Sequence, residues 1–405
     1  MGKVINMGVF IREEERKVPV VEDCDVFVGG GGVAGVAAAV AAARQGARVI
    51  LAEKQCVLGG LATSGLVVIY LPLCDGRGHQ MSFGIAEELF RLSILHGAQG
   101  AYPRAWLEKG TEMERQEQRF EVQFNPVYFA IEMERLLLHS GVRIMYDTRI
   151  CDVKAESGRI QAAILENQDG RVAVQMRSAV DATGNALLFK KAGERTRNHK
   201  KGNMVAGWYY ASTPEGLKLQ MLGFADASEG TERDAPDMSE GKRFWGENVM
   251  EVSKYLELSH QATLEDALRK VGRGQIAEPA AMAHMPQYRM TRCLCGETVM
   301  SEENDGKSVC GSVGMVGDWR KRGPRFEVPY GALYGSTFEN LFAAGRCIST
   351  DDGMWDIMRV IPSCAVTGQA AGTAAALIPE TGRTPIKILQ DILRKAGVRL
   401  YLEEI

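Results

Sequence analysis

Apolar and polar positions along the chain follow two periods, and the switches between them outline its elements. Asp25 to Val28 reads as a short buried strand that breaks into glycines, and Val33 to Gln45 (VAGVAAAVAAARQ) as a helix whose small residues let it lie close on a sheet. After Gly46 a second apolar run, Arg48 to Ala52, predicts a strand that ends at Glu53. From Ile85 to His96 and from Pro126 to Ser140 the apolar positions recur at helical spacing. Val142 to Tyr146, Ile150 to Ala155, Arg159 to Glu166 and Val172 to Met176 alternate like strands, with Ser157-Gly158 and Asp169-Gly170 as hairpin turns. They predict a small antiparallel layer ending at Ala179-Val-Asp-Ala-Thr-Gly-Asn185.

From about Lys190 to Tyr330 the pattern changes. Arg195 to Lys201 (RTRNHKK) reads as a solvated loop, and Asp226 to Lys242, rich in glycine and acid, as an exposed one. Helical stretches follow near Val249 to Leu258 and Leu264 to Val271. Asn340-Leu-Phe-Ala-Ala-Gly-Arg346 then returns to an apolar strand closed by glycine, and Ser363 to Leu377 is another small-residue helix. No internal repeat is visible. The expected class is α/β: a three-layer Rossmann-like domain from residues 20–190 and 335–380, an inserted α+β substrate-side region over 191–334, and a C-terminal helical tail over 381–405.

The first glycine turn carries the clearest chemistry. Gly30, Gly32 and Gly35 fall on the G-x-G-x-x-G spacing between a strand and a helix. There the first glycine permits the tight turn, the second lets a pyrophosphate approach the backbone, and the third lets helix and strand pack closely. The anion would sit on N–H groups at the positive end of the helix. Glu53 completes a β-α-β dinucleotide unit, with a carboxylate placed to accept bonds from ribose hydroxyls. A second glycine-rich loop, Gln55 to Gly65 (QCVLGGLATSG), exceeds what a simple nicotinamide domain needs and points to a longer cofactor.

Composition narrows the class without changing that picture. The chain has 405 residues, 45% hydrophobic and 24% charged, values ordinary for a soluble globular protein with room for two or more structural units. A net charge of -3 and the lack of a long basic stripe argue against nucleic acid as a partner. The first residues have no sustained apolar region and carry Glu13 to Glu15, and the apolar run Val360 to Ile378 is interrupted by Pro362, Ser363 and Gln369. Neither a targeting peptide nor a membrane span is expected, and a cytoplasmic location is. Nine cysteines at irregular spacing, without a C-x-x-C pair or a ferredoxin run, predict no disulfide framework, no cluster and no metal site.

Three separated motifs, VFVGGGGVAG with Glu53, AVDATGN, and NLFAAGRCIS followed by VIPSCAVTGQAAGTAAAL, resemble the flavin-binding framework of the glutathione-reductase-type FAD oxidoreductases. With Leu58-Gly-Gly-Leu-Ala-Thr63 and Arg289-Met-Thr-Arg-Cys-Leu-Cys-Gly-Glu297, their order resembles the bacterial FAD-dependent oxidoreductase family related to the flavoprotein A subunit of heterodisulfide reductase. The resemblance implies FAD as cofactor. Gly30, Gly32 and Gly35 would cradle its pyrophosphate, and Glu53 with Lys54 would meet the adenosine ribose. Gly59, Gly60 and Thr63 would line the flavin side, and Ala182, Thr183 and Gly184 would close over the pyrophosphate. Gly345 and Arg346 would end the returning strand beside the cofactor, and Gln369, Ala370 and Gly372 would lie in the last helix. The N-terminus of that helix, near Pro362 to Val366, would offer N–H groups and a positive dipole end to reduced flavin. This chain carries Asp351 and Asp352 where the relatives often have a histidine, so no acid/base role is carried over.

No second G-x-G-x-x-G lies between Asn185 and Asn340, so a dedicated NAD(P)H domain is not expected. The expected function is hydride transfer between a small organic substrate and flavin N5. Arg289, Arg292 and Arg359 are candidates to hold a carboxylate or polarise a carbonyl, and His284 to carry a proton. His79, as proton carrier or covalent flavin attachment point, Tyr330 and Trp355 are weaker candidates. The rival readings are an electron-transfer flavoprotein subunit working with a redox partner protein, and a flavin-binding regulator without turnover. A closed polar pocket over the flavin and isolation as a homo-oligomer would favour the enzyme, and an exposed flavin edge with co-purification of an iron-sulfur protein the electron-transfer subunit.

Overall fold

The computed structural model describes residues 14–225 and 241–405. The acidic loop expected over 226–242 therefore lies outside the described residues except for Gly241 and Lys242, and so do residues 1–13. Seven strands form the main sheet: β1 (Val20–Gly29), β2 (Val49–Ala52), β3 (Arg143–Met145), β4 (Arg149–Glu156), β5 (Arg159–Asn167), β6 (Gly170–Asp181) and β7 (Leu341–Ala343). The principal helices are α1 (Val33–Ala43), α2 (Ile85–Ser93), α3 (Pro126–His139), α4 (Val249–Gly272), α5 (Ile361–Ala376) and α6 (Ile386–Lys395).

The strands run in the order β3-β2-β1-β6-β5-β4, and β7 also pairs with β6. β6 joins two kinds of pairing in one strand. Its first half, Gly170 to Gln175, pairs antiparallel with β5, and its last residues, Ala179 to Asp181, pair parallel with β7. β1 runs parallel to it along the other edge, from Val20 opposite Ala173 to Gly29 opposite Asp181. The antiparallel layer is thus continuous with the parallel sheet. One strand expected in that layer lies elsewhere: β3 pairs parallel with β2, Ile50 opposite Arg143. The reason is α3, which precedes β3 and supplies the crossover that a parallel partner requires. Alternation along Val142 to Tyr146 shows a strand but not its neighbour.

α1 and α5 are buried along nearly their whole length, which explains their composition. A Cβ on Gly368 would overlap the carbonyl oxygen of Ala34, and one on Gly372 that of Ala38. Glycines one turn apart on α5 therefore face alanines one turn apart on α1, and the two backbones approach more closely than larger side chains permit. The same core takes Phe27 and Val28 from β1 and Phe342 from β7, all fully buried and each contributing roughly 1.5–3 kcal/mol.

In the expected insertion, strands Tyr209–Thr213, Gly216–Gln220 and Glu278–Met282 form an antiparallel sheet against which α4 packs. α4 is one continuous helix where two were expected. Ser259 to Thr263 read as a polar interruption, but they contain neither glycine nor proline. Ser259 Oγ donates to the carbonyl of Ala206 at 2.9 Å and Thr263 Oγ1 to that of Gly207 at 3.3 Å, tying the helix to the sheet. The solvated loop expected over Arg195 to Lys201 is instead structured. Thr196–Asn198 pairs antiparallel with Arg292–Leu294, Arg197 donates to Asp352 at 2.5 Å, and His199 is buried. Strands Ser312–Gly317 and Arg325–Pro329 place Val313, Val316, Phe326 and Val328 in the same core cluster as the main sheet, and α6 adds Leu389 and Leu393. No helix among the described residues is long and apolar enough to cross a membrane.

Candidate functional site

The glycine turn after β1 opens a cleft, and its three motif glycines do different things there. Gly30 has φ +98°, a conformation that L side chains rarely adopt, and a Cβ on it would sit 2.7 Å from the carbonyl oxygen of Ala182. A Cβ on Gly35 would overlap the carbonyl of Gly30, so this glycine lets α1 rest on the turn. Gly32 meets nothing within 4 Å and faces the open cleft. It is also the N-cap of α1 and has no side chain to cap the helix, so the first-turn N–H groups have no intrahelical acceptor, and Val33 and Ala34 of that turn line the cleft. A dipole end and free donors favour an anion here.

Glu53 forms one wall. Its buried carboxylate accepts the Gly31 N–H at 2.6 Å and the Gln55 N–H at 2.9 Å, which fixes both oxygens while leaving lone pairs open to the cleft. The opposite wall is the turn after β6. Asp181, fully buried, accepts the hydroxyl and N–H of Thr183 at 2.6 and 3.1 Å and the Phe189 N–H at 3.2 Å. Burial pushes its pKa up against these bonds. Asp181 thereby shapes Ala182, Thr183 and Gly184, which line the cleft. It is a positioning residue that the sequence reading did not single out. The available signal was an acid at the end of an apolar strand, immediately before a turn.

Arg346 closes the cleft from the end of β7. Its Nη1 donates to the carbonyls of Tyr288 at 2.7 Å and Arg289 at 3.3 Å, and its guanidinium lies where a Cβ of Gly184 would otherwise stand. Among the described residues no carboxylate pairs with it, and burial pulls its pKa below the ordinary arginine value. α5 begins beside it. That helix has no side-chain cap, carries Pro362 in its first turn, and presents Ile361 and Cys364 to the cleft. Burial raises the Cys364 thiol to about 11, so it is protonated at neutral pH and acts as a small apolar wall. Two uncapped helix N-termini and the half-buried Arg346 cation thus converge on one cleft.

A family model for FAD dependent oxidoreductases matches residues 25–207 and 302–396, well over half of the chain. The chain belongs to this family. Its cofactor is FAD, and it is an FAD-dependent oxidoreductase. Among solved structures it is similar to a geranylgeranyl bacteriochlorophyll reductase-like protein of Thermoplasma acidophilum, at 15% identity over 93% of this chain and 82% of that one, with a TM-score of 0.45. It is also similar to the p-nitrophenol 4-monooxygenase PnpA of Pseudomonas putida, at 13% identity over 94% of this chain and 82% of that one, with a TM-score of 0.48. No reaction is read from either likeness. No protein of curated function matches the chain.

Of the expected site residues, Gly30, Gly32, Glu53, Lys54, Gly59, Gly60, Ala182, Thr183, Gly184, Arg346 and Arg359 line the cleft together. Gly35 lies behind the turn, and Gly345 donates its N–H to Thr367 Oγ1 at 2.9 Å while its α-carbon packs on Ala34. Three expected cofactor contacts lie elsewhere on α5. Gln369 accepts the Ile85 N–H at 2.8 Å and so caps α2, Ala370 is in the core, and Gly372 packs on Ala38. The physical reason is helix length: only the first turn of α5 reaches the cleft, and these residues sit two and three turns further on. Thr63 donates to the Leu58 carbonyl and lines a neighbouring groove with His284, not the cleft.

The catalytic candidates are divided in the same way. Arg359 reaches the cleft but is held by Asp356 at 2.7 Å and lies over the Trp319 ring at 5.2 Å. Arg289 is buried over Trp208 at 5.4 Å, and its Nη1 donates to the Gln287 carbonyl at 2.7 Å. Arg292 donates to the Asn185 carbonyl at 3.3 Å and stands 3.8 Å from Glu247, rather than pairing with Glu297. Both arginines hold the scaffold around the cleft and are absent from its lining. His79 is paired with Asp75 at 2.9 Å, Tyr330 stacks near Phe342 in the core, and Trp355 is buried under Arg197. None of the three lines the cleft.

Proposed function

We propose that this chain dehydrogenates or reduces a small organic molecule, with FAD laid along the cleft. The observation that carries this reading is the half-buried Arg346 guanidinium, which has no carboxylate partner among the described residues and faces the same space as the open side of Gly32. Partial burial without a counter-ion disfavours the charged guanidinium, and an anionic diphosphate in the cleft offsets that effect. The residues present therefore fit the cofactor. The turn at Gly30 to Gly32 and the first turn of α1 would hold the pyrophosphate, Glu53 would accept the ribose hydroxyls, and Ala182 to Gly184 would cover it. The N-terminus of α5 would present N–H donors and a positive dipole end to negative charge developing beside it. Bound FAD supplies two-electron chemistry, exchanging a hydride with the substrate at flavin N5.

The test begins with the purified protein, which should absorb as a flavoprotein and release FAD on denaturation. Anaerobic bleaching is then measured across hydroxy acids, amino acids, polyols, sugars, neutral alcohols and ketones, and NAD(P)H. Bleaching by one small class is the expected result. No bleaching by any of them, with rapid reduction by a partner protein, overturns it in favour of an electron-transfer subunit.

A further inference from the structure

Beside the cofactor cleft lies a groove of about 400 Å³ that none of the sequence motifs announces. Two stretches of chain form the wall between them. Leu61 and Ala62 line the cleft while Thr63 and Ser64 line the groove, and Met285 lines the cleft while His284 lines the groove. The two stretches are tied by the His284 N–H, which donates to the Ser64 carbonyl at 2.8 Å. The groove and the cleft thus border the same two stretches of chain. The far walls come from the start of α3, with Val127 and Ile131, and from the antiparallel sheet of the insertion, with Tyr210, Leu217 and Met282.

The lining has a definite chemical character. Among the described residues no aspartate, glutamate, lysine or arginine belongs to it. Its polar groups are hydrogen-bonding side chains: Thr63, Gln99, Asn125 and His284, the Tyr210 hydroxyl, which donates to Gln99 Oε1 at 2.7 Å, and Ser64 Oγ, which is buried without a partner among the described residues. A carboxylate or phosphate placed here would lose its hydration and find no fixed cation, whereas apolar surface would gain by leaving water. Val127, Ile131 and Leu217 stand 63%, 52% and 53% exposed, so the groove presents apolar area to solvent.

We propose that this groove is the substrate chamber and that its occupant is a neutral, largely apolar small molecule bearing one hydroxyl or carbonyl group. This deepens the proposed function and rests on it. The arginines that first suggest a bound carboxylate do not enter the groove, so a carboxylate-bearing substrate is not what this lining selects.

The experiment measures binding of matched probes by equilibrium dialysis on the FAD-loaded protein: cyclohexanone against cyclohexanecarboxylate, and 1-naphthol against 1-naphthoate. Flavin absorbance is recorded in parallel. The neutral member of each pair should bind at least about tenfold tighter and perturb the flavin spectrum. Leu217→Glu and Ile131→Glu, at solvent-exposed positions, should each weaken the neutral probes about tenfold or more while flavin content stays at the wild-type level. Equal or tighter binding of the carboxylates overturns the proposal, as does neutral-probe binding that both variants leave unchanged. Saturation by a neutral probe without any flavin perturbation overturns the substrate role. Self-association that Leu217→Glu abolishes, without probe binding, overturns it in favour of an interface between copies of the chain. A protein without flavin defeats the proposed function itself, which the flavin content reports separately from the dialysis.

Discussion

The cofactor cleft and the groove beside it share a wall and are built from different materials. The cleft is made mostly of backbone: glycine turns and two helix N-termini without side-chain caps, with the half-buried Arg346 cation at one end. The groove is made of side chains from the start of α3, the loop around Thr63 and the inserted sheet. A polar ligand with fixed charge can be recognised by a strand-turn-helix unit that is contiguous in sequence. An apolar ligand needs surface gathered from several elements, and each contributing residue looks like an ordinary member of its own helix or strand.

The comparison breaks most readily at the glycines. Gly35→Val should leave little folded or coloured protein, because the added Cβ overlaps the Gly30 carbonyl. Gly32→Val points into open space, so the folded protein should melt near the wild-type temperature yet lose flavin affinity by roughly 100-fold, about 2.7 kcal/mol. Flavin absorbance per protein and a melting curve check both; wild-type flavin content in Gly32→Val would end the claim that this face meets the cofactor.

Arg346→Met should come next, weakening FAD by about 1.5–3 kcal/mol, the range for a hydrogen bond to a charged group. The apoprotein should melt close to wild type, because loss of the bonds to the Tyr288 and Arg289 carbonyls is offset by removal of a half-buried cation that has no counter-ion among the described residues. Titration of apoprotein with FAD, together with its melting temperature, tests the two halves. A destabilised apoprotein with unchanged FAD affinity would make Arg346 a structural residue tied to Tyr288 and Arg289.

Gln369→Ala sharpens the boundary of the site with a smaller effect. It removes the acceptor of the Ile85 N–H and should cost about 1 kcal/mol of stability, as for other helix caps, with FAD affinity unchanged. Selective loss of flavin would return Gln369 to the cofactor.

The smallest effect concerns the seam where the insertion meets the segment before α5. Burial holds His199 below its ordinary value of 6.5, with Asp352 and Arg197 as opposing neighbours. Below that pH the unfolded chain binds more protons than the folded one, so stability falls as the pH drops through 6.5 toward the folded value. His199→Asn should flatten that part of the stability profile, measured by denaturant unfolding at pH 5 to 7; an unchanged slope would exclude His199 as its source.

The readable and unreadable parts of the molecule follow the range of the interactions. The turn at Gly30 to Gly35, the strand ending at Glu53 and the return at Ala343 to Arg346 were legible because each is specified by neighbours a few residues apart. The misplacements have the opposite cause. The sequence places Gln369, Ala370 and Gly372 of α5 at the cofactor, whereas Gln369 caps α2, Ala370 lies in the core and Gly372 serves α1. Arg289 and Arg292 have the right chemistry for a substrate anion, but the Trp208 ring beside Arg289 and the Asn185 carbonyl that Arg292 meets come from residues distant in sequence.

Local pattern therefore determined the dinucleotide unit and most helices and strands, since periodicity, glycine conformation and cap chemistry act over one or two turns of chain, while FAD is what the resemblance of the three motifs to a known family implies. Tertiary structure decided which strand neighbours β3, that Arg346 stands in the cleft without a carboxylate partner among the described residues, that Asp181 shapes the turn from beneath, and that an uncharged groove adjoins the cofactor site. Those features depend on which surfaces meet, and burial and pairing between distant segments exist only once the chain has folded.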